Sequence, residues 1–319
     1  MTRLFNLPTL LTIAAMIILL PIVQRPVVAA EVLTLGIAAL ALNLLLGYTG
    51  LLSFGHAMFF GIGAYAVGVL GIKFGITPWI GVLVGMVLAA LAAIAVGVPT
   101  LRLRGHYFAI ATLLIGSSVQ IIFQRWDWVG AASGLFLPLK RGSPWLDMQF
   151  HTSKVPYYYL SLAAAALGFL VVWKMRRSRL GFRLQALRDD AEAAASLGIA
   201  VSRHKVLAFM ISAAMMAVAG SFYTQYVLVL DPERVFSVDI SIIVVLMTVL
   251  GGSGTVWGPA VGAALLIPLS EYSRIWFGST GRTVDLMIYG ILILVICMWR
   301  PAGLISLIEE RIRRRGTSR

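Results

Sequence analysis

Long runs of uncharged, apolar residues recur along this 319-residue chain and limit the folds that it can adopt. Hydrophobic residues make up 60% of the sequence and charged residues only 12%, whereas about 25% of the residues of an ordinary soluble domain are charged. Uncharged runs of about 16–20 residues are long enough for membrane-spanning helices. The alternating segments of about ten residues that build a membrane β-barrel do not occur. The sequence therefore predicts an all-α, polytopic helical membrane protein.

The apolar segments predict about ten membrane-spanning helices. They lie at residues 9–24, 30–47, 54–72, 79–99, 106–123, 156–173, 206–229, 238–251, 256–272 and 285–299. Two stretches are interrupted: residues 54–72 by several glycines, and residues 238–272 by the Gly-Gly-Ser-Gly run at 251–254. Either could be a broken or re-entrant helix, because a break is tolerated at membrane depth where protein or water covers the freed backbone. The number of helices therefore lies between about eight and ten.

The positive charge of the chain is concentrated on one side of the predicted membrane. The sequence contains 26 Lys and Arg against 13 Asp and Glu, a net charge of +13. Ten helices would place 17 basic residues on one side and 9 on the other, with the densest groups in the loop 174–205 and the tail 300–319. Because cytoplasmic loops are rich in Lys and Arg, this side and both termini are predicted to be cytoplasmic. The charge thus gives no reason to expect a nucleic-acid partner.

The beginning of the chain resembles a signal peptide, with Arg3, an apolar run over residues 10–23 and small residues at 28–30. We favour an uncleaved first helix, because its removal would put the termini on opposite sides. The whole chain, residues 1–319, is then one transmembrane domain. The single cysteine, Cys297, excludes an internal disulfide.

The sequence contains no recognisable motif for energy coupling. It has no Gly-x-x-x-x-Gly-Lys-Ser/Thr motif to hold a nucleotide phosphate, so we predict no ATPase activity and no bound cofactor or metal. The main alternative is an ion-coupled secondary transporter, which commonly uses ionisable residues within its membrane helices. Acidic residues such as Glu31 and Glu271 fall at helix ends instead, which argues against this alternative. Residues 251–254 match the Gly-x-Ser-Gly pattern of membrane proteases, but no histidine follows Ser253 to activate it.

Several polar residues fall within or beside the apolar segments and need hydrogen-bond partners there. The candidates for a translocation pathway are Asn43, Ser53, His56 and Tyr107. Packing within the helix bundle is the competing explanation for these residues.

The loop 174–205 combines eight basic and three acidic residues with a helix-favouring stretch. Residues 187–197 alternate alanine with charged residues, and Gly198 is placed to end the helix. A solvated connector would explain the charge but not the run of small residues, which suits a short helix that fits a groove of a partner. The candidate contact residues are Asp189, Asp190, Glu192, Ala193, Ala194 and Gly198.

The segment Glu192-Ala193-Ala194, followed by Gly198, resembles the EAA loop of ABC-importer permeases, although the Ile-x-Leu-Pro continuation of that pattern is missing. Residues 47–57, 60–65, 101–109 and 251–259 resemble, in order and spacing, the branched-chain amino-acid permease family, LivM type. Residues 130–135 resemble its Gly-rich segment only loosely, because alanines replace glycine there.

The resemblance implies a permease subunit in a bacterial inner membrane. Its partners would be a homologous second permease subunit, two cytoplasmic ATPase subunits that bind the ATP, and a periplasmic solute-binding protein. It also implies that the EAA loop couples ATP hydrolysis to transport. The solute would be a branched-chain or similar hydrophobic amino acid, with urea or a short amide as the alternative.

Overall fold

Helices make up most of the computed structural model, which describes residues 26–103, 105–139, 144–150 and 153–277, and positions 287, 290–291 and 303–305. The long helices are α1 Pro26–Thr49, α2 His56–Lys73, α3 Pro78–Thr100, α4 His106–Arg125, α6 Val155–Arg177, α9 Val201–Val227, α11 Val238–Gly251 and α12 Gly258–Phe277. The shorter elements are β1 Leu135–Phe136, α5 Pro144–Asp147, α7 Arg179–Asp189, α8 Ala191–Ser196, β2 Val229–Leu230 and α10 Pro232–Val235. The all-α fold class is confirmed.

Within the described residues, seven helices are long and apolar enough to cross a membrane. They correspond to α1, α2, α3, α4, α6, α9 and the segment Pro232–Gly251 that contains α11. Eight of the ten predicted segments thus have a helical counterpart, α12 included. The predicted segment 9–24 lies outside the described residues, as do nearly all of 285–299 and of the tail 300–319.

The central helices α2 and α9 cross at glycines that allow their backbones to touch. A Cβ on Gly63 would lie 2.1 Å from the carbonyl oxygen of Ala217, and one on Gly220 would lie 1.9 Å from that of Phe60. The Ser221 hydroxyl donates to the Gly63 carbonyl across the crossing, at 3.1 Å. Helix α2 is unbroken from His56 to Lys73, so the possibility of a broken helix at 54–72 is wrong. Its glycines are contact points between helices.

Helix α3 carries small residues on one face and large apolar residues on the other. Its buried positions recur every fourth residue, at Gly81, Gly85, Ala89, Ala93 and Gly97. A Cβ on Gly85 would lie 3.1 Å from the Cα of Gly63, so this face packs directly on α2. The opposite face exposes Leu83, Val87 and Leu91, each by more than half. Such a side-chain distribution suits a helix that faces lipid outwards and protein inwards.

Helices α11 and α12 form a tightly packed antiparallel pair, and residues 252–257 connect them. A Cβ on Gly251 would lie 1.8 Å from the Gly258 carbonyl, and one on Gly262 would lie 1.9 Å from the Met247 carbonyl. The predicted break in 238–272 is therefore confirmed, and we call residues 252–257 the break loop. Its backbone lies beside the carboxyl end of α1, since a Cβ on Gly47 would be 2.5 Å from the Gly254 nitrogen.

Residues 126–139 and 144–150 lie at the end of the bundle opposite the break loop. They contain two 3-10 turns, strand β1 and the short helix α5. Strand β1 pairs antiparallel with β2, Leu135 facing Leu230, which ties these residues to the end of α9. Trp126, Trp128 and Trp145 are about half exposed or more, as suits an interfacial position. The small sheet was not predicted from the sequence.

Candidate functional site

The charged loop folds into two short helices, α7 and α8, where the sequence predicted one helix over residues 187–197. That prediction is wrong because Asp190 adopts an extended backbone, with φ −153° and ψ 109°. Its carboxylate accepts hydrogen bonds from the backbone N–H groups of Glu192, at 2.9 Å, and Ala193, at 3.0 Å. A side chain that caps a new helix competes with continuation of the previous one. Asp190 therefore starts α8 rather than lying within a longer helix.

Gly198 ends α8, as the sequence predicted. Its φ of +83° lies in the left-handed region that favours glycine. The N–H of Gly198 donates to the Ala195 carbonyl and that of Ile199 to the Ala194 carbonyl, at 2.9 and 3.1 Å. These two bonds form a Schellman motif, which satisfies the last carbonyls of the helix. Both ends of α8 are thus capped by residues of the chain itself.

Helix α8 is held to the bundle by one face and open on the others. Ala194 is buried, as are Leu184 and Leu187 on α7, and all three belong to the main hydrophobic core. The other predicted contact residues are exposed, namely Asp189, Asp190, Glu192, Ala193 and Gly198. The structure therefore places five of the six predicted residues on one short, outward-facing element, which we call the docking helix (residues 191–196 with the caps Asp190 and Gly198), and the sixth, Asp189, beside it at the end of α7.

Leu197 completes this surface and was not predicted. Its side chain is 84% exposed, the largest exposed fraction among the exposed large hydrophobic residues of the described chain. A lone leucine after a run of alanines gives no signal in the sequence, because helical periodicity would assign it to the buried face as readily. Leu197 thus adds an apolar side chain to the exposed surface at the end of the docking helix.

The Asp190 cap makes the docking helix sensitive to acid. The backbone N–H groups of Ala193 and Glu192 hold the pKa of the Asp190 carboxyl below its ordinary value of 3.8. A lowered folded pKa means that the cap stabilises the helix above the ordinary pKa and is lost as the pH falls through the lower value.

We expect Asp190→Ala to speed hydrogen exchange at Glu192 and Ala193 several-fold at pH 7. Asp189→Ala, beside it but outside the cap, should not.

The carboxyl end of α1 is joined to the break loop by Asn43. Its side-chain nitrogen donates to the Thr255 carbonyl at 2.7 Å, and its side-chain oxygen accepts from the Gly254 N–H at 2.8 Å. Asn43 itself is fully buried. Both groups of the amide are satisfied by protein, so the structure gives Asn43 a role in holding the break loop.

Asn43→Leu would leave the Gly254 N–H and the Thr255 carbonyl without these partners. At about 1 kcal/mol for each group, we expect the free energy of unfolding to fall by about 2 kcal/mol. Thermal unfolding of the detergent-solubilised protein measures this change. The control is Thr49→Val, because the buried Thr49 hydroxyl only donates to the Leu45 carbonyl of its own helix. Equal stability of the two variants would contradict the role of Asn43.

The remaining candidates for a translocation pathway lie in different environments. The Ser212 hydroxyl donates to the Ala41 carbonyl at 2.6 Å and is 2.9 Å from His56 Nε2, which must therefore donate to it. His56 Nδ1 and the Ser53 hydroxyl are buried without a hydrogen-bond partner in the part of the chain that the structure describes. Tyr107 is 73% exposed on α4. The structure buries Asn43, Ser53 and His56 but leaves Tyr107 at the surface, and their part in translocation stays a prediction.

A family model described as the branched-chain amino acid transport system permease component matches residues 27–296. The chain belongs to this permease family. The high-affinity permease protein LivM of Escherichia coli K12 is 30% identical over 298 residues, covering 87% of this chain and 69% of that protein. The probable LivM of Methanocaldococcus jannaschii is 25% identical, covering 84% and 89%.

A second kind of relative is also similar to the permease. LivH of Salmonella typhimurium LT2 is 26% identical over 293 residues, covering 86% of this chain and 91% of that protein. No solved structure gives a significant match. Among the described residues of the permease, no group of three or more His, Cys, Asp and Glu could hold a metal ion.

Proposed function

We propose that this permease is the membrane subunit of an ATP-binding-cassette importer that moves branched-chain or similar hydrophobic amino acids into the cell. The observation that carries the proposal is the docking helix, a short helix of small residues closed at both ends and exposed to solvent. Such an element has few contacts of its own to form on the outer side, so its exposed face is available to a soluble partner. The family membership supports the transported class of solute.

The charge of the loops supports a cytoplasmic position for the docking helix. The basic residues in the last turn of α6 are Lys174, Arg176 and Arg177, and α7 adds Arg179, Arg183 and Arg188. Basic residues next to membrane-spanning helices favour the cytoplasmic side. The docking helix would then face the cytoplasm of a bacterial inner membrane, and the tryptophan-bearing loop 126–150 would face the exterior.

The family to which the chain belongs supports a set of partners. We infer that two ATPase subunits bind ATP in the cytoplasm and contact the docking helix of each permease, and that a periplasmic solute-binding protein delivers the solute. The second permease subunit would be a homologous chain, which agrees with the similarity to both LivM and LivH proteins. The chain itself would bind no ATP. The free energy of ATP hydrolysis would therefore reach it through movement of the docking helices.

Co-purification of an ATPase subunit with the tagged permease tests the proposal most directly. The assembled complex, reconstituted in proteoliposomes with its solute-binding protein, should take up leucine, isoleucine or valine only when ATP is present on the cytoplasmic side. Competition by unlabelled urea rather than by leucine would assign the alternative solute class. Uptake by the permease alone, driven by an ion gradient, would contradict the proposal.

A further inference from the structure

Arg188 reaches from the last turn of α7 to the membrane-embedded bundle. Its Nη1 donates to the Gly47 carbonyl oxygen, 141 residues away in the chain. Gly47 lies in the last turn of α1, where helix carbonyls have no partner within the helix. The guanidinium therefore satisfies a helix end that also attracts positive charge.

The same guanidinium lies against the break loop. A Cβ on Gly254 would be 2.8 Å from Arg188 Nη1 and 3.1 Å from the Gly47 carbonyl oxygen. Along its stem, Arg188 Cγ would lie 3.4 Å from a Cβ on Gly50. The Arg188 side chain thus runs along the end of α1, and its guanidinium lies against the break loop.

The break loop is in turn fixed to α1 by the two Asn43 hydrogen bonds, to Gly254 and Thr255. Its glycines Gly252 and Gly254 have φ values of +119° and +82°. Glycine reaches such conformations without a steric penalty, so the loop can change shape by rotation at these two residues. Asn43 and Arg188 are thus two of the groups that hold the loop beside the end of α1.

Arg188 is also two residues from Asp190, the cap of the docking helix, and Leu187 beside it is buried in the core. Movement of the docking helix would reach Arg188 through this short connection. On the basis of the proposed function, we propose that Arg188 is a positioning residue that transmits movement of the docking helix to the break loop and to the end of α1. Arg188 is exposed on α7, and it would carry this signal through its contacts with Gly47 and the break loop rather than by contacting the solute.

Replacement of Arg188 in the assembled complex tests this role. Arg188→Ala should co-purify the ATPase subunits as the wild type does and hydrolyse ATP at a similar rate. Amino-acid uptake per ATP hydrolysed should fall about tenfold, within the 5–150-fold range typical of coupling between sites. Arg188→Lys keeps a donor for the Gly47 carbonyl and should restore part of the uptake. Wild-type uptake by Arg188→Ala would overturn the proposal.

Arg183→Ala is the matched control, because it removes the same charge from the same helix. Arg183 Nη1 lies 3.2 Å from His204 Nε2 on α9, and neither Gly47 nor the break loop is its partner there. The control should keep wild-type coupling. Equal loss of uptake in both variants would show that net charge on α7, rather than the Arg188 contact, matters.

A cysteine reporter in the break loop separates transmission from a purely structural role. The chain has one natural cysteine, so Ser253→Cys in a Cys297→Ala background carries a single label site. Its maleimide labelling rate should change on ATP addition when Arg188 is present and stay constant in Arg188→Ala. An ATP-dependent change in both backgrounds, or loss of the ATPase from Arg188→Ala alone, would overturn the proposal. Failure of the wild type to bind any ATPase would instead refute the proposed function.

Discussion

Gly198→Arg is expected to reduce ATP-driven uptake to background while the permease still inserts into the membrane. Among the described residues other than its two chain neighbours, no atom lies within 4 Å of a Cβ at Gly198, so the new side chain would extend into open space. The permease itself therefore has room for the arginine side chain, although the left-handed backbone at φ +83° strains this residue. Under the proposed function, the larger part of the loss would come from a clash with an ATPase groove that fits small residues. Uptake in proteoliposomes and the amount of permease in the membrane fraction measure the two effects separately.

Two controls separate the bulk of the arginine from other effects. Gly198→Asn introduces a residue that tolerates the left-handed conformation, so it should keep the Schellman motif and most of the uptake. Gly75→Arg makes the same change at another glycine with positive φ, +64°, and open space, at the opposite end of the bundle. It should retain ATPase binding. Normal uptake by Gly198→Arg would remove the docking helix as the coupling element.

Gly220→Ala is expected to destabilise the described bundle strongly. The new Cβ would lie 1.9 Å from the Phe60 carbonyl oxygen and 2.7 Å from its carbon. Backbone atoms cannot rotate away as a side chain can, so α2 and α9 must separate. We expect a loss of about 3 kcal/mol in the free energy of unfolding, at the upper end for overpacked sites. Thermal unfolding in detergent measures it.

Gly36→Ala provides the comparison on another long helix. Its Cβ would meet the Ala263 Cβ at 3.7 Å, an ordinary contact. Alanine also favours the helix over glycine by about 1 kcal/mol. This variant should therefore be as stable as the wild type or more so. If Gly220→Ala were equally stable, the close approach of α2 and α9 would not exist in the folded protein.

The long helices were predictable from the sequence because their length is set by the membrane. The segment predicted at 79–99 is observed as Pro78–Thr100, and that at 106–123 as His106–Arg125. An apolar run of fixed minimum length is a strong signal. The short helices gave a weaker signal in the sequence. Alanine and leucine over residues 187–197 favour a helix throughout this stretch and do not locate its ends. Only the capping by Asp190 decides where α7 ends and α8 begins. An Asp just before a helix-favouring run was a usable signal.

The interior contacts could not be predicted. Asn43 and Gly254 are 211 residues apart, and Arg188 and Gly47 are 141 apart. Neither pair shows a spacing or charge pattern that a single sequence reveals, because the pairing depends on how whole helices pack. Asn43 could be identified as a polar group in need of partners, but not as the residue that holds the break loop.

The two caps of the docking helix have a consequence for how the importer comes together. A segment that folds only on contact with its partner loses affinity to the ordering of its backbone. Asp190 and Gly198 complete that ordering within the permease, before any ATPase arrives. Association is then limited by encounter and orientation, typically at about 10⁵–10⁷ M⁻¹s⁻¹. Under the proposed function, ATPase subunits would therefore leave and return without any refolding of the membrane subunit.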